Sequence, residues 1–263
     1  MQRRNRELNV FSLSAIDLFC SGMGAVMVLM VLLLPYYRKS TPADAAAPTP
    51  ARVEVADNSI QVQDLDVVFV MDATMSMKDE LEAVRTDLHS VIEVLRRISN
   101  DARVGFVAYT DEGMRWSCPL LPVNRGAQGE SNLIRLENVV KEVELIGNED
   151  WPEDVLGGLE HAFSFDWNLL GADRRQMIVV IGDASTHPAN IQKSFALVRR
   201  WTAESAKRSV STVNTITAED IPKSPGAELT IPYFKELVRQ GNGRYLDNEG
   251  DLIGSILDLI IEK

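Results

Sequence analysis

The sequence predicts an α/β fold, a doubly wound and mostly parallel sheet flanked by helices, preceded by one transmembrane helix. Three observations predict it. From Leu65 onward, apolar runs alternate with amphipathic stretches, the pattern of a parallel sheet with helices on both faces. Two of the runs, Asp66 to Met71 (DVVFVM) and Met177 to Ile181 (MIVVI), read as strands buried on both sides. Near the N-terminus, Leu18 to Pro35 carries no charge, and with a helical start near Ala15 it approaches the roughly 20 residues that cross a hydrocarbon core.

The organisation follows from the N-terminus: a cytoplasmic segment at 1–14, the span at 15–37, a linker at 38–57 and one folded domain at 58–263. A cleaved signal peptide competes for the first 40 residues, since Arg3, Arg4 and Arg6 make a fair basic start. The apolar run is longer than an ordinary signal core, and Arg38 and Lys39 stand between it and any small-residue cleavage site, so an uncleaved anchor is expected. The basic residues before the span slightly outweigh those after it, which puts the N-terminus in the cytoplasm and the domain in a bacterial periplasm, anchored to the inner membrane. Ser40 to Ala51 (STPADAAAPTPA) has almost no large apolar residue and reads as a semi-extended tether.

Within the domain, Leu81, Val84, Leu88, Val91 and Leu95 recur at helical spacing after the first strand. Ala102 to Tyr109 and Trp116 to Val123 follow as strands, the second placed at an edge by Pro119 and Pro122. Leu133, Leu136, Val140 and Val143 mark a second helix. Pro152 suits the first turn of a third, running to about Phe165. After Met177 to Ile181 come a helix over 191–201, a strand over 210–216, a helix over 233–239, a short strand over 244–246 and a last helix over 252–261.

Charge narrows the function. The first 40 residues hold five basic and two acidic side chains, which leaves 22 basic and 36 acidic in the remainder, a net of −14. Phosphate backbones need the opposite sign, so nucleic acid is not an expected partner. Cys20 in the span and Cys118 in the domain form neither a disulfide framework nor a metal site.

Three oxygen-rich loops fall at one edge of the predicted sheet. Asp72-Ala-Thr74-Met-Ser76 follows the first strand and sets a carboxylate and two hydroxyls at alternate positions, ligands suited to a hard cation. The same residues also make an ordinary helix cap. Gly147 to Asp154 (GNEDWPED) is strongly acidic before a helix, where Glu149, Glu153 and Asp154 would equally answer a helix dipole. Asp183-Ala-Ser closes the second buried strand. Strand ends carrying Asp72 and Asp183 should meet at the carboxyl edge, where such folds bind ligands.

At these residues the chain resembles the von Willebrand factor A family, whose metal-ion-dependent adhesion site begins Asp-x-Ser-x-Ser. The likeness covers about Leu65 to Ile261 and is nearest to the bacterial and alpha-kinase-linked branch that reads DATGSM. Here the motifs stand as Asp72 to Met77 (DATMSM), Tyr109-Thr-Asp111, Gly147 to Glu153 and Asp183 to His187 (DASTH). The resemblance implies a Rossmann-like fold and a Mg²⁺ site, or one for Ca²⁺ or Mn²⁺. Thr74 and Ser76 would be direct ligands, with Asp72 and Asp183 acting directly or through water. Asp150 stands where many members use threonine. Met75 replaces the usual glycine, and Asn148-Glu149 replaces two glycines. Asp111, Glu149 and His187 are the expected neighbours of the site, while His89 and His161 sit on helices as structural residues. The resemblance implies recognition of a protein partner at the metal face. No catalytic residue is expected, because no base and nucleophile are paired in the sequence.

The span carries its own signal. Ser14 and Asp17 have the spacing of a capping box, and Ser21, Gly22, Gly24 and Ala25 form a small-residue face that lets helices approach, which implies a homodimer. FSLSAIDLFCSGMGA also resembles the N-terminal span of flagellar-stator B-type subunits, where an acid near the cytoplasmic end carries an ion. Under that alternative Asp17 is the ion carrier, the partner is a polytopic channel-type membrane subunit, and the folded domain is the load or sensor.

Overall fold

The computed structural model describes residues 64–111, 113–147, 151–167, 174–205, 210–218, 226–248 and 250–261, all within one compact unit that spans Asn58–Lys263. The expected span, its Asp17 and small-residue face, and the linker lie outside the described residues. Among the described residues no helix is long and apolar enough to cross a membrane.

The fold is mixed α/β, a six-stranded and mostly parallel sheet flanked by helices. Its strands are β1 (Leu65–Asp72), β2 (Ala102–Thr110), β3 (Gly113–Pro122), β4 (Arg175–Gly182), β5 (Val210–Thr217) and β6 (Asn242–Asp247). The order across the sheet is β3-β2-β1-β4-β5-β6, with only β3 antiparallel to its neighbour. The helices are α1 (Lys78–Ile98), α2 (Ala127–Glu142), α3 (Val155–Phe163), α4 (Ile191–Ser205), α5 (Thr230–Gln240) and α6 (Leu252–Ile261).

Strand periodicity splits the core in two. Along β1, Val67, Phe69 and Met71 face a layer built by α1, α2 and α6, whereas Val68 and Val70 face a layer built by α3, α4 and α5. All eight residues of β1 are buried, because a central parallel strand is covered on both sides. Each fully buried Val or Leu contributes about 1.5–3 kcal/mol over its exposed state, so this strand anchors the domain. Helix α1 turns Leu81, Val84, Leu88 and Leu95 inward, with Asp79 and Glu80 in its first turn and Arg96 and Arg97 in its last, as the helix dipole favours.

The edge opposite the carboxyl ends is held by charge. Asp66, fully buried, accepts from Arg103 Nε at 2.8 Å and Nη2 at 2.6 Å, and from Arg174 Nε at 2.8 Å. Arg174 also reaches Asp101 Oδ2 at 2.8 Å. Nothing in the local spacing of DVVFVM marks Asp66 as a hub, because both of its partners arrive from other strand starts.

One boundary differs from expectation. Pro152 does not open α3; the Trp151–Pro152 peptide is cis and the helix starts at Val155. The acid two residues on supplies the cap, Asp154 Oδ1 accepting from the Gly157 N–H at 3.1 Å. Glu153 is extended instead of helical and forms a parallel bridge with Thr186, which commits this stretch to the edge of the sheet.

Candidate functional site

Where the helices change sides, folds of this kind form a crevice. β1 leads into α1 on one face and β4 into α4 on the other, and the two strands are neighbours, so the loops after them diverge at the carboxyl edge. Asp72 ends β1 and Asp183 follows β4 directly. Both are buried, Asp72 completely and Asp183 with 1% exposure.

The first loop is organised around one carboxylate. Asp72 Oδ1 accepts from the Thr74 backbone N–H at 2.9 Å and from Thr74 Oγ1 at 2.8 Å. Thr74 Oγ1 lies 3.3 Å from Ser76 Oγ, so the two hydroxyls stand side by side. Ala73 N–H donates to the Tyr109 carbonyl at 2.8 Å and ties the loop to β2. Asp72 Oδ2 is buried with no hydrogen-bond partner among the described residues. Burial pushes the Asp72 carboxyl up to about 8, helped by the charge of Asp183 and, more weakly, of Asp111, against the two bonds from Thr74. Those influences place Asp72, Asp183 and Asp111 in one electrostatic group.

The third loop is stitched to both others at its ends. Ile146 N–H donates to the Ala73 carbonyl at 3.0 Å. Gly147, at φ +99°, sits so close that a Cβ there would lie 3.5 Å from Asp111 Oδ1 and 3.7 Å from Thr74 Cγ2. On the far side, Trp151 Nε1 donates to Ser185 Oγ at 2.6 Å, Glu153 N–H to the Ser185 carbonyl at 3.1 Å and Asp154 N–H to the Thr110 carbonyl at 3.3 Å. Asp150 and Glu149, the acids singled out in this loop, lie outside the described residues.

The structure therefore brings Asp72, Thr74, Ser76, Asp183 and Asp111 to one edge. His187 is half-buried further along the β4 loop, where its carbonyl accepts from Asn190 N–H at 2.7 Å in a 3-10 turn. Met75 is 46% exposed on the outer surface of the first loop. Three buried groups near these acids carry no part in the site as read from sequence: Tyr109, Glu153 and Thr186. Tyr109 had a signal, since it stands in the Tyr109-Thr-Asp111 motif near the end of a buried strand. Glu153 reads as a helix-start acid, and Thr186 has no local signal.

The described donors are carboxylate and hydroxyl oxygens, the set a hard cation prefers. The buried Asp72 oxygen that lacks a hydrogen bond fits the same reading, because an ion would complete it. Among the described residues, no three His, Cys, Asp or Glu side chains gather as a metal-binding group. The described loops supply the carboxylates of Asp72, Asp183 and Asp111 and the hydroxyls of Thr74 and Ser76.

No family model matches the chain. The alpha-protein kinase vwkA of Dictyostelium discoideum is 27% identical over 126 residues, 47% of this chain and 19% of the kinase. The chain thus spans about a fifth of that relative. A crystal structure of the pilus adhesin SpaC from Lactobacillus rhamnosus GG, in its open conformation, superposes with a TM-score of 0.53 at 12% identity, covering 76% of this chain and 30% of the adhesin. That similarity concerns the fold.

Proposed function

We propose that the chain is a von Willebrand factor A-type protein, doubly wound and carried on a single N-terminal membrane span, that binds a divalent cation and recognises a protein partner through the metal-site face. The carrying observation is the crevice between β1 and β4. There Asp72, Thr74 and Ser76 set their oxygens at alternate positions, facing Asp183 from the adjacent strand, with one buried carboxylate oxygen lacking a hydrogen bond. Mg²⁺ is the expected ion, with Ca²⁺ or Mn²⁺ as substitutes, since all three accept oxygen ligands.

Thr74 and Ser76 would ligate the ion through their hydroxyls, and Asp72 and Asp183 would supply the balancing charge. A bound cation would supply Lewis acidity toward an oxygen of the partner. The reading is a binding function. The kinase relative does not extend it to phosphoryl transfer, because the matched part is a fifth of that protein.

Isothermal calorimetry of the metal-stripped protein with Mg²⁺ tests the reading, alongside Ser76→Ala and Asp183→Asn. Saturable binding by the wild type that weakens at least tenfold in both variants is expected. Equal heats from all three proteins would sink it. Capture of a partner from membrane extracts should then be lost in chelator and restored by Mg²⁺.

A further inference from the structure

Beneath the crevice lies a phenol that no element of the fold satisfies. Tyr109, on β2, is fully buried, and its hydroxyl has no hydrogen-bond partner among the described residues. The ring is fixed from the other side. A Cβ on Gly158 would come to 2.7 Å of Tyr109 Cδ1 and 3.0 Å of Val70 Cγ1, so only glycine lets α3 lie this close against it. Held there, the side chain crosses under β1 and reaches β4. A Cβ on Gly182 would stand 2.9 Å from the Tyr109 hydroxyl, 3.4 Å from Asp72 Cβ and 3.6 Å from Asp72 Oδ2.

The hydroxyl therefore sits below the gap between the two strand ends that carry the acids. Burial raises its pKa well above the usual phenol range, and the charges of Asp72, Glu153 and Asp183 act on it in the same direction. A buried O–H donor stands among carboxylates without an acceptor, and Asp72 Oδ2 stands close by without a donor. A polar group left unmatched in this way is costly, and native proteins keep such groups where a ligand, water or ion completes them.

We infer that Tyr109 is a positioning residue for the cation site, its hydroxyl donating from below to the Asp72 carboxylate on the side away from the ion. The inference rests on the metal reading of the crevice. An ionised carboxylate offers about four lone-pair sites. Thr74 already serves Asp72 Oδ1 with two donors, and the oxygen beside it has none, so Tyr109 is placed to take one of its two lone pairs across the floor, directly or through one ordered water, and leaves the other for the ion. Groups that orient ligands in this way act on affinity without touching the ion, and their loss typically costs about 10- to 100-fold in metal binding.

Tyr109→Phe removes only the hydroxyl and keeps the ring that α3 packs on. The whole chain, stripped with chelator, is titrated with Mg²⁺ by calorimetry, and its near-ultraviolet tyrosine difference spectrum is recorded during the same titration. The expected result is Mg²⁺ binding about 10- to 100-fold weaker in Y109F, with thermal stability in chelator no lower than wild type. A tyrosine difference signal on adding Mg²⁺ should appear in the wild type and vanish in the variant. A role in packing alone would lower the stability and leave the affinity unmoved. Equal Mg²⁺ affinity in the two proteins overturns the inference and leaves the metal site standing. A clear loss of stability in chelator also overturns it, because the hydroxyl would then already be partnered without the ion. A wild type that binds no Mg²⁺, Ca²⁺ or Mn²⁺ overturns the metal reading and this inference with it.

Discussion

Asp72→Asn is predicted to stabilise the protein in the absence of metal while abolishing its response to metal. Asp72 is fully buried, and its folded-state pKa is about 8 against 3.8 when exposed, chiefly from burial and then from Asp183. The folded state thus holds a proton that the unfolded chain releases across that window. The unfolded state binds fewer protons there, so metal-free stability falls as pH rises from about 4 to about 8, by about 1.4 kcal/mol per pH unit. At pH 7 the accumulated cost is about 4 kcal/mol, from roughly three units at about 1.4 kcal/mol each.

Asparagine keeps an oxygen to accept both Thr74 bonds and carries no charge to bury. For a domain of this size, about 2–4 °C per kcal/mol puts the metal-free variant roughly 8–16 °C above wild type at pH 7, with the gap closing toward pH 4. Saturating Mg²⁺ should offset most of that cost for the wild type. A ligand at 100 times its Kd adds about 2.7 kcal/mol, and the variant should gain none. Differential scanning calorimetry at pH 4, 5.5 and 7, with chelator and with Mg²⁺, reads all of this. A metal-free Asp72→Asn protein that melts at or below wild type at pH 7 would refute the reasoning, since burial of the carboxylate would then carry no penalty.

The other predictions concern separate parts of the chain. Asp66→Ala should destabilise the domain by about 3–5 kcal/mol, because it leaves Arg103 and the buried Arg174 without their shared carboxylate; urea unfolding with an unchanged m-value checks it. Asp150→Thr should weaken Mg²⁺ binding and improve capture of acidic peptides, because a third carboxylate takes the formal sum with a divalent ion to −1 and repels an incoming acid. Calorimetry of metal and peptide decides it, and an unchanged metal affinity would leave Asp150 without a part in the site. Asp17→Asn should abolish function while sparing membrane insertion if Asp17 carries an ion. It should be nearly silent, at about 1 kcal/mol or less, if Asp17 only caps a helix. Normal activity of the variant in a functional assay excludes the ion-carrier alternative.

Local patterns settle local things. Consecutive apolar residues in Asp66 to Met71 mark a strand covered on both sides, and the three-and-four spacing from Leu81 to Leu95 marks one buried helical face. These patterns are written in side-chain chemistry over a few residues, so the alternation of strand and helix was legible. The placing of Asp72 and Asp183 at strand ends was legible for the same reason. Pro152 was misleading, because its preference for a first helical turn competes with a better cap two residues later at Asp154 and with the pairing of Glu153 to Thr186. That competition is decided across loops.

Periodicity records which side of an element is apolar and carries no information about which element lies beside it. The order β3-β2-β1-β4-β5-β6, which sets Asp72 next to the β4 loop, is therefore a property of the assembled sheet. Asp66 meets Arg103 and Arg174 across 37 and 108 residues, and no short-range spacing encodes such a meeting. Tyr109 is a strand residue like its neighbours until Gly158 lets α3 press the ring down and Gly182 leaves room for its hydroxyl. By itself the sequence determined the elements and the oxygen-rich loops between them. Tertiary packing alone decided which carboxylates are stripped of water together and which buried oxygen is left without a hydrogen bond, because desolvation and close approach depend on neighbours that the chain brings together only on folding.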